Sequence, residues 1–260
     1  MTGRNVVRRF TKRYPNTQSC HTALANYRWL AGLGTPLRLP RLVGTDRCGI
    51  DFEFIEGRPA ELADLIALAA HLGDVHGAAF VTTLHHARLD EPFITADGHQ
   101  VPDFLSRRAD MLRRRLDERV VPAPRFDADR ATALLRAAAR APAVIYKDCN
   151  PRNFLITETG AVTLDFDQVS LAPVGYDLAK LIVTLAMTHG TVSRGTIESA
   201  LSAYNTAASR HDPALGYTGM TELRDWTEIH HILTSRYLGR HGYRYGWHTQ
   251  RAVLTELGGG

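Results

Sequence analysis

Lysine is almost missing from this chain. Of its 31 basic residues only Lys12, Lys147 and Lys180 are lysine, so any role that needs a compact ammonium rather than a planar guanidinium has few candidates. Cysteine is equally scarce. Cys20, Cys48 and Cys149 stand at unrelated spacings, which excludes a disulfide framework and a cysteine-based zinc site and leaves reduced thiols. Long apolar runs are lacking too: Leu181 to Met187 falls far short of the roughly 20 residues that cross a bilayer. The opening segment MTGRNVVRRFTKRYP is too charged for a signal peptide. The expectation is a cytoplasmic protein with no membrane partner. Internal repeats and low-complexity tracts are also absent.

What is present is an ordinary globular composition. The 260 residues, 44% hydrophobic, suffice for one large core or two modest lobes sharing a cleft. The formal net charge is +4. Its densest source is Arg107, Arg108, Arg113, Arg114 and Arg115, a cluster able to attract phosphate. Without aromatic interleaving or a nucleic-acid motif it reads as a solvated helix face, and no nucleic-acid partner is expected. The histidine pairs His85-His86 and His230-His231 lack the i, i+4 partners of a metal set, so they read as surface or core residues.

Hydrophobic periodicity predicts a strand at Val6 to Phe10, a helix over His21 to Leu33, and two strands, Arg41 to Val43 and Ile50 to Ile55, joined by a turn. After Gly57-Arg58-Pro59 the chain turns mainly helical, with helices expected at Glu61 to Phe80, Pro102 to Glu118 and Ala128 to Ala139. Three short strands interrupt at Val144 to Tyr146, Phe154 to Thr157 and Ala161 to Leu164, the last two forming a hairpin around Glu158-Thr159-Gly160. Helices follow at Tyr176 to His189, Thr196 to Ala208, Thr221 to Gly239 and Thr249 to Leu257.

The chemistry sits among those three strands. Asp148-Cys149-Asn150-Pro151-Arg152-Asn153 leaves the first strand, and Asp165 follows the second strand of the hairpin. An Asp-x-x-x-x-Asn followed about a dozen residues on by a strand-terminal Asp is the phosphoryl-transfer spacing of kinases. A loop Asp can accept a hydrogen bond from an attacking hydroxyl and align it with the γ-phosphate, while Asn supplies a neutral oxygen and Asp a charged one to magnesium. A competing reading takes Val162 to Val169 as a strand ending in Asp-x-Asp, as in haloacid-dehalogenase-type phosphatases or metal-dependent glycosyltransferases. Those folds place the motif near the start of a parallel α/β domain, and the phosphatases want a downstream lysine with an acidic pair, which Lys180 alone fits poorly.

The segments IYKDCNPRNFLI and VTLDFDQVSLAPVGYDLAKLI resemble the catalytic block of the aminoglycoside phosphotransferase family and related small-molecule kinases. The likeness is specific over residues 144 to 180 and weaker over residues 5 to 190. It implies an α+β, protein-kinase-like two-lobe fold: a small, truncated, β-containing N-lobe and hinge at 1–57, and a larger, mainly helical C-lobe at 58–260 with the catalytic loop and metal-binding hairpin. By the same resemblance Asp148 is the catalytic residue, Asn153 and Asp165 hold Mg2+, and Asp177 braces the catalytic loop. Phe52 to Gly57 resembles the hinge, where backbone groups near Glu53 and Ile55 would meet the adenine of ATP. Leu72 to His76 resembles the helix end that follows.

The chain also departs from that pattern. Only five residues precede Val6 in the sequence given, so no glycine-rich hairpin is expected. Arg8 occupies the position of the usual strand lysine and Asn26 that of its helix glutamate, which makes Arg8 the expected nucleotide contact. Lys147, where the family has a small residue, is a candidate phosphate contact, with Lys12 in reserve. The function expected is ATP- and Mg2+-dependent transfer of the γ-phosphate to a hydroxyl of a small molecule, an aminoglycoside-like antibiotic or a metabolite. Asp90, Glu91, Asp103, Glu222 and Glu228 are candidate receivers of a polycationic acceptor. The alternative is a catalytically degenerate kinase-fold binding protein.

Overall fold

A computed structural model describes residues 8–254. β1 (Arg9–Arg13) and β2 (Leu42–Thr45) flank β3 (Gly49–Glu53) in an antiparallel sheet of order β1-β3-β2. The expected strand at Val6 to Phe10 lies partly outside the described residues, and β1 runs further than hydrophobicity suggested. As a largely exposed edge strand it tolerates polar side chains, and pairing continues past Arg13, where the Tyr14 amide donates to the Cys48 carbonyl at 2.8 Å. α1 (Thr17–Gly32) starts at Asn16, whose side chain accepts from the Ser19 amide at 2.8 Å and so satisfies one orphan donor. Its Tyr27 meets Phe52 of β3 and Phe166, with ring centroids 5.3 to 5.7 Å apart. These aromatic contacts seal the small sheet onto the rest of the molecule.

β4 (Arg58–Pro59) then leads through a short turn into α2 (Leu65–Thr82). β5 (Phe93–Ile94) and β6 (Gln100–Val101) form a small ribbon before α3 (Ser106–Asp117) and α4 (Ala128–Ala137). β7 (Ala143–Tyr146), β8 (Phe154–Thr157), β9 (Gly160–Thr163) and β10 (Ser170–Pro173) follow. α5 (Tyr176–His189), α6 (Arg194–Ser209), α7 (Met220–Thr234) and α8 (Trp247–Gln250) complete the fold. The stretch Leu62–Thr82 is long and apolar enough to cross a membrane by length and composition. Most of it is buried here, packed chiefly on α6. Gly73 permits that approach, because a Cβ there would stand 2.2 Å from the Tyr204 carbonyl oxygen.

Sequence reading missed the short strands β4, β5 and β6, and also β10. β10 is fully buried and pairs with β7, Ser170 opposite Tyr146 and Pro173 opposite Ala143. Its terminal proline hid it, yet a proline is tolerated at the end of a short two-stranded ribbon. The pairing brings the exit of β7 beside the entry to α5. Gly175 makes the turn between β10 and α5 at φ 82°, where a Cβ would strike Thr218 at 2.4 Å. α5 is buried almost all round, and Leu178, Leu181, Ile182 and Leu185 are fully enclosed. At about 1.5 to 3 kcal/mol per large apolar side chain, it is a rigid platform for the polar residues in its first turns.

Candidate active site

The loop after β7 hangs from α5. Asp177, fully buried, accepts the Lys147 amide at 2.9 Å and the Cys149 amide at 3.5 Å, the two residues that flank Asp148. Asp148 itself is left-handed, φ 56°, a conformation that Asp adopts more readily than most residues and that recurs at functional sites. Behind Asp177 stands His76 of α2, its Nε2 3.8 Å away, while its Nδ1 meets the Tyr204 hydroxyl at 2.8 Å. The Gly175 amide donates to the same hydroxyl at 3.0 Å. Three helices and a turn thus hold one loop through buried polar contacts, each worth more for being out of water.

The Asp148 carboxylate faces a second residue of α5. Its Oδ1 accepts the Tyr146 hydroxyl at 2.9 Å and lies 3.2 Å from the Lys180 ammonium. Burial pushes this carboxyl up, but Lys180, the Tyr146 hydrogen bond and nearby Lys147 outweigh it and leave Asp148 below the usual carboxylate range. Lys180 is the partner that sequence reasoning missed. The available signal was its i, i+3 spacing from Asp177, which sends both side chains to one face of α5.

The hairpin brings Asn153 and Asp165 to the same end. Phe154 pairs with Thr163, and the Leu164 amide donates to the Asn153 carbonyl at 2.7 Å. Asp165 is left-handed, φ 63°. Asn153 Nδ2 donates to the Asp148 carbonyl at 2.9 Å, which leaves its Oδ1 as a lone-pair donor. Lys147, expected as a phosphate contact, turns inward instead: its ammonium donates to the Leu164 and Asp165 carbonyls and is buried. That burial lowers its pKa. Its role in this geometry is to fix the backbone of Asp165.

Across the cleft, the cation that reaches Asp165 is Lys12. Its ammonium lies 2.7 Å from Asp165 and 2.9 Å from Asp167; the pair outweighs partial burial and raises the lysine pKa. A cation already rests on this carboxylate pair, so the oxygens of Asp165, Asp167 and Asn153 suit a hard divalent ion completed by phosphate oxygens and water. Arg8 is not brought there. It is exposed, with its guanidinium 4.2 Å from the centre of the Phe54 ring. Asn26 finds its hydrogen-bond partners elsewhere than at Lys12. It donates to the Phe166 carbonyl at 2.7 Å and meets His99 Nε2 at 2.8 Å, holding the segment after Asp165 against α1. Glu53 accepts the Arg41 amide at 2.9 Å through its side chain, and Ile55 lies half-buried on the connection to β4.

Asp148, Asn153 and Asp165 all line one cavity of about 850 Å³ that extends to α3 and α7. Of the acidic residues expected to receive a cationic acceptor, only Asp103 lines it. Asp90 and Glu91 pair with Arg88, and Glu228 is buried against Arg251 at 2.9 Å. The arginine cluster on α3 is only in part the solvated face that was expected: Arg107, Arg113 and Arg114 are exposed, but Arg108 and Arg115 are not. Arg107, Arg108, Arg114 and Arg115 line the cavity, and Arg108 and Arg115 are buried. The i, i+7 spacing of 107 with 114 and of 108 with 115 is the helical stripe that marks a single face.

The model of the phosphotransferase enzyme family matches residues 2–219. No curated protein sequence matches the chain. Among solved structures, an amicoumacin kinase in complex with AMP-PNP and Ca2+ is similar with a TM-score of 0.59 at 13% identity, over 86% of this chain and 72% of that one. A choline kinase from Cryptosporidium parvum is similar at 0.56 and 14%, over 90% and 77%. An aminoglycoside phosphotransferase from Streptomyces rimosus in complex with ADP and streptomycin is similar at 0.56 and 16%, over 85% of each chain. At such identities the likeness carries the fold, which is protein-kinase-like, while acceptor chemistry has to be argued from the site. Because the family match runs from the first strand through the catalytic block and on to α6 and the residues beyond it, the chain belongs to the phosphotransferase enzyme family.

Proposed function

We propose that the protein is a cytoplasmic ATP- and Mg2+-dependent O-phosphotransferase that moves the γ-phosphoryl group of ATP to a hydroxyl of a small molecule. The observation that carries this reading is an Asp148 carboxylate kept ionised by Lys180 and Tyr146 at the wall of a cavity that Asn153 and Asp165 also line. The nucleotide would lie between residues 1–57 and 58–260, its adenine against the backbone of Glu53 and Ile55. Asp165 and the Asn153 amide oxygen would hold Mg2+, which when bound draws charge from the phosphate oxygens. Asp148 orients the acceptor hydroxyl and takes its proton. The acceptor oxygen bonds to the γ-phosphorus as the bond from that phosphorus to its bridging oxygen breaks, and ADP leaves. Lys12, freed from the two carboxylates, is placed to meet the nucleotide phosphates.

One observation favours a second reading, a catalytically degenerate binding protein: the strand lysine has no glutamate partner on α1 and sits on Asp165 and Asp167. Consumption of γ-labelled ATP with Mg2+ and a panel of hydroxyl acceptors separates the two. Transfer by the wild type, abolished in an Asp148→Ala variant that still melts in one cooperative transition above the assay temperature, supports the first. Transfer that survives Asp148→Ala removes Asp148 from the mechanism, and nucleotide binding without transfer to any acceptor supports the second.

A further inference from the structure

The wall of the cavity carries more positive charge than its own carboxylates balance. Arg107, Arg108, Arg114 and Arg115 of α3, Arg152 of the catalytic loop and Arg236 beyond α7 all line it. None of the six forms an ion pair with a carboxylate among the described residues, although arginines elsewhere, such as Arg58 with Asp64 and Arg251 with Glu228, do. The carboxylates that share the cavity are Asp103, Asp110, Asp148 and Asp165. Asp148 and Asp165 are already partnered by Lys180 and Lys12, so the unpaired guanidiniums face only Asp103 and Asp110.

Exposed arginines alone would carry little, but two of these are buried, Arg108 at 7% exposure and Arg115 at 8%. Arg108 donates to the Phe104 carbonyl and the Ser170 hydroxyl, each at 2.9 Å, and lies over the rings of Phe104, Tyr146 and Tyr176. Arg115 donates to the Ile232 and Leu233 carbonyls and, among the described residues, has no ring beneath it. Burying a guanidinium against neutral partners only is costly. The aromatic faces offset part of that cost for Arg108, and nothing comparable serves Arg115. Both keep N–H groups beyond those bonds, in the fork geometry that binds carboxylate and phosphate. Arg108 is also one ring from the chemistry: it stacks on Tyr146, whose hydroxyl bonds Asp148.

We propose that the acceptor is an anion, a small hydroxyl compound that carries a phosphate or carboxylate group, with that group seated on the arginine wall and the hydroxyl directed to Asp148. The hydroxyl rests on the phosphotransferase reading above; the anion rests on the arginines alone. A polycationic acceptor would meet like charge across most of this wall.

The test is binding to the full chain at low ionic strength without nucleotide, using glucose, gluconate, glucose 6-phosphate and kanamycin as probes. Glucose 6-phosphate or gluconate should bind at least about tenfold tighter than glucose, and added salt should weaken that preference; which of the two is tighter separates phosphate from carboxylate. In an Arg114→Gln/Arg236→Gln variant, both positions being exposed so that the melting temperature checks the fold, the preference should fall by about tenfold. Glucose bound as tightly as either anion, kanamycin bound tighter than both, or a preference unchanged in the double variant overturns the proposal. Anions that bind through these arginines in a protein that never transfers phosphate leave the anion site standing and sink the phosphotransferase reading. Transfer with a preference for kanamycin or glucose does the reverse.

Discussion

On one side of the cleft the loop that carries Asp148 is held by side chains that water does not reach; on the other, an exposed strand carries the cation that faces it. Asp177 ties down both neighbours of Asp148, with His76, Tyr204 and Gly175 stacked behind it. Lys12 meets Asp165 and Asp167 from β1 through an ion pair that solvent partly screens. The difference teaches which half is preorganised. The half that carries Asp148 keeps its geometry by burial, whereas the half that carries Lys12 rests on a partly exposed ion pair, which on the proposed reading an incoming nucleotide would rearrange.

The largest expected effect breaks the buried side. Asp177→Ala leaves two buried amides without an acceptor, at about 1 to 3 kcal/mol each, so the melting temperature should drop by several degrees and any transfer activity with it. A wild-type melting temperature in that variant would show that the loop does not depend on Asp177. Next comes the pH dependence of the same buried region. Burial holds His230 well below the usual histidine value, with Lys180 adding to the depression. Its ring Nε2 meets the Tyr176 carbonyl at 2.9 Å and it stays neutral in the fold. As pH falls below about 6.5, the unfolded chain binds a proton that the folded chain refuses, so stability is lost on the acid side at about 1.4 kcal/mol per pH unit for such a group. His230→Gln, which keeps a donor, should flatten that slope in melts between about pH 7.5 and about pH 5, which bracket the histidine value; an unchanged slope would remove His230 as its source.

The exposed side sharpens the comparison with smaller effects. Lys12→Met should cost no more than about 1 kcal/mol of stability in the free protein, as a partly exposed pair does, yet weaken ATP binding about tenfold, the loss of one charge-assisted contact. Arg8→Met should do less still, within about 0.5 kcal/mol of stability, and leave ATP affinity unchanged. Titration of ATP into the two variants decides between the strand cations. The reverse order, with Arg8 mattering more, would return the nucleotide contact to Arg8.

Legibility in the sequence followed locality. Asp148, Asn153, Asp165 and Asp177 were readable as candidates because a loop, a hairpin and a helix start lie within one short stretch, and α5 begins and ends at Tyr176 and His189 as periodicity predicts. Lys12 stands 153 residues from Asp165, and no local pattern could pair them. The register of β1 with β3, Lys12 opposite Ile50, settles which strand residue meets the hairpin, and register is a tertiary quantity. The α3 arginines carried a readable stripe whose direction depended on what packed beside it. β10 was hidden by its proline and by a partner strand that is distant in sequence.

The most direct measurement of the central claim is the thermal stability of the full chain in ATP and Mg2+, taken together and singly, for the wild type and Asp165→Ala. A native-state ligand must stabilise by mass action. The account predicts a rise in melting temperature that requires ATP and Mg2+ together in the wild type and is lost in Asp165→Ala relative to that variant's own unliganded melt. No rise at millimolar nucleotide, or an equal rise in the variant, would contradict it.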